Sequence, residues 1–318
     1  MERREMKWLR RGCLGCLALL GLGVVAVALL LMLPLFLGQP DSDPVTEEHV
    51  PELPPSPTPP PVPPDSPSPE GVTLPPEAFP GPEDAVKLRL DLSAGSFRIE
   101  PGEPGDALRV EADYDRGRFY LNQRFDEGTN TYRVSFGLRG GWLGLFRGSV
   151  EADNKVRILV PPDRPFALVG DVGMGESRFE LGGLWITDVD LDLGAGEHNL
   201  LVSEPLRTPL ERFKIHASMG ETEMRSLGNA SPSRVQVKQG IGEMYLDLRG
   251  AWQRDAAVTV DLGIGECRVQ TPEDVGIYVE RSSVGIGEAR SPQRREAPPG
   301  APTLTLRLSG GIGELQVD

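Results

Sequence analysis

The sequence predicts an all-β fold, a parallel β-solenoid whose rungs are about 22 residues long and turn at Gly-x-Gly-Glu corners. Three observations predict it. The corner recurs at 173–176, 194–197, 240–243, 263–266, 285–288 and 311–314, with a further copy at 218–221 whose first glycine is Ser218. The glutamates fall at 176, 197, 221, 243, 266, 288 and 314, so the spacing stays in the twenties with no helical periodicity inside it, which is the mark of stacked β repeats. Finally, apolar alternation slips by one residue at each corner. Val258, Val260, Leu262 and Ile264 alternate before it, then Cys267 and Val269 after it. The series Val189, Leu191, Leu193, Ala195 then His198, Leu200, Val202 slips in the same way, as does Val235, Val237, Ile241 then Met244, Leu246, Leu248. A straight strand would send the second set to solvent; a bend at the corner keeps both sets inward.

The N-terminal elements are of a different kind. Residues 1–11 form a basic flank, with Arg3, Arg4, Lys7, Arg10 and Arg11 against Glu2 and Glu5. Residues 12–38 carry no charge and exceed the roughly 20 residues that cross a bilayer, which predicts one transmembrane anchor. Leu35, Phe36 and Leu37 stand where a cleavable signal would need small residues, so the anchor is expected to stay uncleaved. The basic flank places the N-terminus in the cytoplasm and the rest outside, giving a single-pass protein of the cell membrane. Cys13 and Cys16 read as small apolar residues at the start of this helix. Cys267, the only other cysteine, has no exported partner.

Residues 39–84 hold 17 of the 31 prolines and too little apolar surface for a core, which predicts a disordered Pro-rich stalk. In polyproline II geometry those residues reach on the order of 140 Å. Residues 85–165 open the folded part. Val86, Leu88, Leu90, Leu92 and Ala94, then Phe97 and Ile99, make a first rung with a degenerate corner, and an antiparallel meander follows as a cap. Residues 166–318 are the regular solenoid.

Charge limits the partners. With five basic and two acidic residues in the flank, the remainder carries 28 basic and 45 acidic side chains, so no nucleic acid partner is expected. Of His49, His198 and His216, the last two fall in rungs and read as buried or corner-adjacent residues. No catalytic set, cofactor site or metal site emerges. Asp190, Asp192, Asp247 and Asp261 read as outward solubilising residues, and a single file of glutamates does not supply the two facing carboxylates of a glycoside hydrolase.

The corner residues themselves read as structural: Gly175, Glu176, Gly196, Glu197, Gly220, Glu221, Gly242, Glu243, Gly265, Glu266, Gly287, Glu288, Gly313 and Glu314. Stacked glutamates about 4.8 Å apart repel one another. Arg178, Arg268 and Arg290, each two residues past a corner glutamate, can screen three of them, and corner backbone N–H groups are expected to satisfy the carboxylates. A row of bound cations such as Ca²⁺ is the alternative. The expected partner contact lies in the meander, where Arg139, Trp142, Leu143, Leu145, Phe146 and Arg147 gather among glycines outside the repeat; the alternative is that Trp142 and Phe146 fold back to plug the first end of the solenoid.

The repeated Gly-Ile-Gly-Glu corners, the run Leu181-Gly182-Gly183-Leu184 before a strand, and a repeat region behind a membrane segment resemble the toast-rack domains of bacterial cell-wall-active antibiotic response proteins and the related putative-adhesin β-solenoid domains. The family commonly has Asp where this chain has Glu, and its response regulators usually have several membrane helices where this chain has one. The resemblance covers residues 85–318 and implies an envelope-facing, non-enzymatic role. That role is adhesion or scaffolding through an envelope protein or cell-wall polymer; modulation of an envelope-stress sensor kinase is the alternative, and a polysaccharide-active enzyme ranks behind both.

Overall fold

The structure, a computed structural model, describes residues 45–49, 85–139, 154–291 and 294–318. The basic flank, the anchor at 12–38 and, apart from 45–49, the stalk therefore lie outside the described residues. Within them the chain is all-β, with one short 3₁₀ turn at Leu227–Asn229. No described helix is long and apolar enough to cross a membrane.

The strands are β1 (Val45–His49), β2 (Val86–Pro101), β3 (Arg109–Tyr114), β4 (Phe119–Asp126), β5 (Thr131–Leu138), β6 (Lys155–Val160), β7 (Phe166–Glu180), β8 (Ile186–Leu201), β9 (Arg212–Arg225), β10 (Arg234–Asp247), β11 (Ala256–Gln270), β12 (Gly276–Arg290), β13 (Arg294–Arg295) and β14 (Thr303–Val317). All belong to one sheet, which is rich in parallel pairs, and its main path runs β1-β3-β6-β2-β7-β8-β9-β10-β11-β14-β12-β13.

The long strands stack parallel and in register at the corners. Gly242 faces Gly220 on one side and Gly265 on the other, and Glu243 likewise faces Glu221 and Glu266. β2 joins the stack as expected, with Gly95 opposite Gly175 and Ser96 opposite Glu176. Burial follows the phase slip. In β11, Val258, Val260 and Leu262 are buried before the corner, and Cys267 and Val269 after it. Equivalent positions of successive rungs form apolar files through the core, for example Leu200, Met224, Leu246, Val269 and Val317. Burial raises the Cys267 thiol to about 12, and its Sγ lies 3.8 Å from the Met244 Sδ, so this cysteine is a packing residue.

Three placements differ from the sequence expectation. The meander is not purely antiparallel. β3 pairs antiparallel with β6, and β4 with β5, but β5 and β6 both run parallel to β2. β5 continues the limb before the β2 corner and β6 the limb after it. Between Phe136, opposite Leu92, and Lys155, opposite Ser96, the chain runs through 137–154, where β2 uses only 93–95. The segment is thus a rung with a long insertion at its corner, and that insertion hid its period.

The last two rungs are also exchanged in space, with β14 lying between β11 and β12. Composition explains the exchange. β14 buries Leu304, Leu306, Leu308, Leu315 and Val317, whereas β12 carries Glu280, Arg281, Ser282, Ser283 and Arg290. The polar rung is the last of the stack, with only the two-residue β13 paired beyond it at Ile277 and Tyr278, and its polar side chains and the irregularity between Val279 and Arg281 blunt further pairing.

The third difference lies in the segment assigned to the stalk, where β1 pairs antiparallel with β3 along Val45 to His49. It falls in a proline-free run between Pro44 and Pro51, so every residue can donate to the ladder.

Candidate functional site

The corners form the one surface that repeats along the whole stack. At Gly265, φ is +140°, and a Cβ there would collide with the Gly242 carbonyl oxygen of the neighbouring rung. At Gly263 a Cβ would meet the Gly240 carbonyl oxygen in the same way. Two glycines flanking one residue therefore let rungs approach at the bend, and the side chain between them is turned away from the core.

That orientation corrects the sequence reading, which placed these side chains inward. Ile264 is 47% exposed, Ile241 46%, Ile312 46%, Met174 46%, Met219 52% and Ile286 68%. Ala195 is half-buried. Since the corners are in register, these residues form a continuous apolar ridge in the order Met174, Ala195, Met219, Ile241, Ile264, Ile312, Ile286. The sequence held a signal for it: the variable position of every corner is Ala, Met or Ile, where a solvated turn would take polar residues.

A cleft flanks the ridge on each side. One, of about 340 Å³, runs along the corner glutamates and is lined by Glu197, Asn199, Glu221, Glu243, Tyr245 and Arg268. The other, of about 620 Å³, lies between the corners and the β4–β5 hairpin, with Tyr120, Phe136, Leu138, Asp171, Gly194 and Ser218 in its wall.

The glutamate file is exposed at 176, 197, 221, 243, 266 and 288 and half-buried at 314. No backbone N–H donates to these carboxylates among the described residues, contrary to expectation, because the in-register ladder already engages the corner backbone. Two of the three expected arginine pairs form: the Arg268 guanidinium lies 3.3 Å from Glu266 and that of Arg290 2.5 Å from Glu288. Among the described residues no three His, Cys, Asp or Glu side chains converge in a way that could hold a metal ion.

The outward aspartates divide. On β8 and β9, Asp188 faces Arg212, Asp190 faces Lys214 and Asp192 faces His216, at 2.6, 2.9 and 3.3 Å. Asp261 is half-buried beside Lys238 at 3.8 Å and accepts from the Ser309 hydroxyl. Asp247 is not a surface residue: it is 2% exposed and accepts from the Arg249 backbone N–H and guanidinium. Burial pushes its carboxyl up, but the Arg249 bonds and charge together hold it below the usual carboxylate value.

Behind the glutamate file, Ser177 Oγ and His198 Nδ1 lie 2.8 Å apart. That is the spacing of a nucleophile and its base, but the two residues are only 2% and 1% exposed. Two rungs on, Thr222 donates to Gln239 Oε1 at 2.8 Å, and Gln239 Nε2 donates to the Gly220 and Ile241 carbonyls. Gln239 occupies an inward position that alternation assigned to no residue.

Burial holds the His198 imidazole below its usual 6.5, with the Gly194 carbonyl acting in the opposite sense. The fold therefore keeps the neutral ring while the unfolded chain takes up a proton near that value. This contribution to stability is complete above about pH 6.5 and declines as the pH falls through that value towards the lower folded pKa. The urea midpoint should drop between pH 7 and pH 5 in the parent and drop less in His198→Asn; parallel pH profiles would remove His198 as the cause.

Of the residues expected to contact a partner, Arg139 is at the end of β5, where its Nε donates to the Arg116 and Phe119 carbonyls at 2.9 and 2.8 Å. Trp142, Leu143, Leu145, Phe146 and Arg147 lie outside the described residues.

Residues 206–270 match the family described as the N-terminal domain of toast_rack, DUF2154. No curated protein matches the chain. Among solved structures, a putative cell adhesion protein from Clostridium sporogenes aligns at 13% identity over 86% of this chain and 99% of its own, with a TM-score of 0.40. A putative adhesin from Bacteroides fragilis aligns at 9% identity over 87% of this chain and 99% of its own, with a TM-score of 0.38. A putative lipid binding protein from Parabacteroides distasonis aligns at 12% identity over 86% of this chain and 97% of its own, with a TM-score of 0.25. The matched span contains the corners at 218–221, 240–243 and 263–266, so it is within its repeat region that this chain is similar to the toast-rack family.

Proposed function

We propose that the chain is a membrane-anchored, extracytoplasmic binding or scaffold module of the bacterial cell envelope that performs no covalent chemistry. The stacked parallel strands are rungs of a β-solenoid, carried away from the membrane by the Pro-rich segment. The observation that carries the binding reading is the apolar ridge, with six large side chains 46–68% exposed along one line. A stack needing only solubility would place polar residues there, as it does at Asp188, Asp190 and Asp192 on the limb before the corner.

The reading is tested on the full-length protein expressed in a bacterial cell. Mass spectrometry of the membrane extract should recover the peptide spanning residues 1–11; a mature N-terminus near Gln39 would remove the anchor. Incubation with peptidoglycan and charged glycans should release no fragments, and released products would make the protein an enzyme. The parent should also co-purify with envelope components that a Met219→Ser, Ile241→Ser, Ile264→Ser variant loses. Identical co-purification would remove the ridge from the binding surface.

A further inference from the structure

On the strength of that binding reading, we propose that the ridge receives a basic amphipathic α-helix, with its apolar face along the Met and Ile side chains and its Lys or Arg side chains beside the corner glutamates. Three features of the surface select this partner: the spacing of the ridge, the side chains that form it, and the charge beside it.

The spacing comes from the sheet. Parallel rungs stand about 4.8 Å apart, so the seven ridge positions span roughly 29 Å. A helix laid along that line offers one side-chain layer per turn of about 5.4 Å. A strand offers one same-face residue per roughly 6.7 Å. Over three rungs the helix drifts by about 2 Å and the strand by nearly 6 Å. A helix of about 19 residues covers the whole ridge at 1.5 Å per residue.

The ridge side chains suit such a partner. Met174 and Met219 are unbranched and adjust to an irregular helix face, and Ile241, Ile264 and Ile312 follow in register, each close to half exposed. This is an apolar groove reader in reverse, with the helix face meeting a ridge bordered by clefts on both sides.

Charge complementarity fixes the sign of the partner. Glu197, Glu221 and Glu243, all three exposed, stack beside Ala195, Met219 and Ile241, and the only guanidinium among the described residues lining that cleft is Arg268, 3.3 Å from Glu266. Cationic side chains along the file relieve the repulsion between neighbouring carboxylates. A second copy would bring a second row of the same carboxylates, and an anionic lipid surface would repel them.

The test uses the full chain in phosphatidylcholine nanodiscs, with empty discs as background. The probe is a fluorescent 20-residue synthetic helix with Leu on one face and Lys on its flanks, alongside a Lys→Glu analogue and a Leu→Ser analogue. The parent should bind the Leu/Lys helix, more weakly as salt rises, and should bind neither analogue. Affinity should fall at least tenfold in the variant Glu197→Gln, Glu221→Gln, Glu243→Gln, and again in Met219→Ser, Ile241→Ser, Ile264→Ser. The glutamine variant should unfold no earlier than the parent in urea, since it removes only like-charge repulsion, which separates lost binding from lost folding.

If the glutamine variant binds as the parent does, or the Lys→Glu helix binds equally well, the basic-helix proposal is wrong even where the serine variant still loses its envelope partners. If the serine variant loses neither probe nor partners, the binding reading fails with it. Dimerisation of the parent in sedimentation velocity that the serine variant abolishes would assign the ridge to a second copy and overturn the proposal.

Discussion

Replacing Gly265 with valine should be the most damaging single change in the stack. The residue sits at φ +140°, a conformation that a β-branched side chain resists, and its Cβ would be driven into the Gly242 carbonyl oxygen. Relief requires the two rungs to separate at the corner, and both are bonded onward, to β9 on one side and β14 on the other. Backbone strain together with broken ladder bonds should cost several kcal/mol. The urea midpoint of the full chain should collapse, or the protein should be recovered unfolded. A midpoint equal to the parent's would mean the corner is not the close-packed element described above.

The second large effect is expected at Phe136 of β5, where the first strands of the sheet meet. Phe136 is 1% exposed and holds three elements together: its ring stacks on Phe119 at 5.4 Å and meets Tyr114 and Phe97 edge-on at 5.4 and 6.1 Å. Those partners come from β4, β3 and β2, so alanine would leave a cavity where hairpin, meander and first rung converge. Truncations of this kind cost about 3–5 kcal/mol, which lowers the melting temperature by on the order of 10 °C. The loss should be accompanied by faster hydrogen exchange in β4 and β5, with exchange in β10 and β11 unchanged. Uniform acceleration through the whole stack would show that these strands and the rest of the stack unfold as one unit.

The repeat was legible because it is written locally. A glycine pair before a glutamate marks each bend, and alternation on either side marks the inward residues, so the parallel in-register stack followed from short-range pattern alone. The candidate site was less legible. Alternation extended through the corner puts Ile241 and Ile264 inside, yet both are nearly half exposed. Period-two reasoning assumes a continuous pleat, and the pleat is interrupted where two rungs touch through their backbones. Gln239 and Asp247 were missed in the opposite sense. Both are 2% exposed: Gln239 bonds to Thr222 and Gly220 on the neighbouring rung, which no single rung reveals, and Asp247 is satisfied by Arg249 two residues further on.

By itself, then, the sequence determined the β class, the corner positions, the phase of the core files and the first rung at β2, all of which depend on residues close together in the chain. Three features were decided only in the tertiary structure. β5 and β6 form one interrupted rung, β14 enters between β11 and β12, and the variable corner side chains line up as a ridge. The first was hidden by the long stretch between the two limbs, and the second follows from the apolar surface that competing rungs can bury, which left the polar β12 outside. The third is a consequence of stacking: a lone Ile between two glycines is an ordinary exposed residue, and only register places it in file with the corner residues of the other rungs.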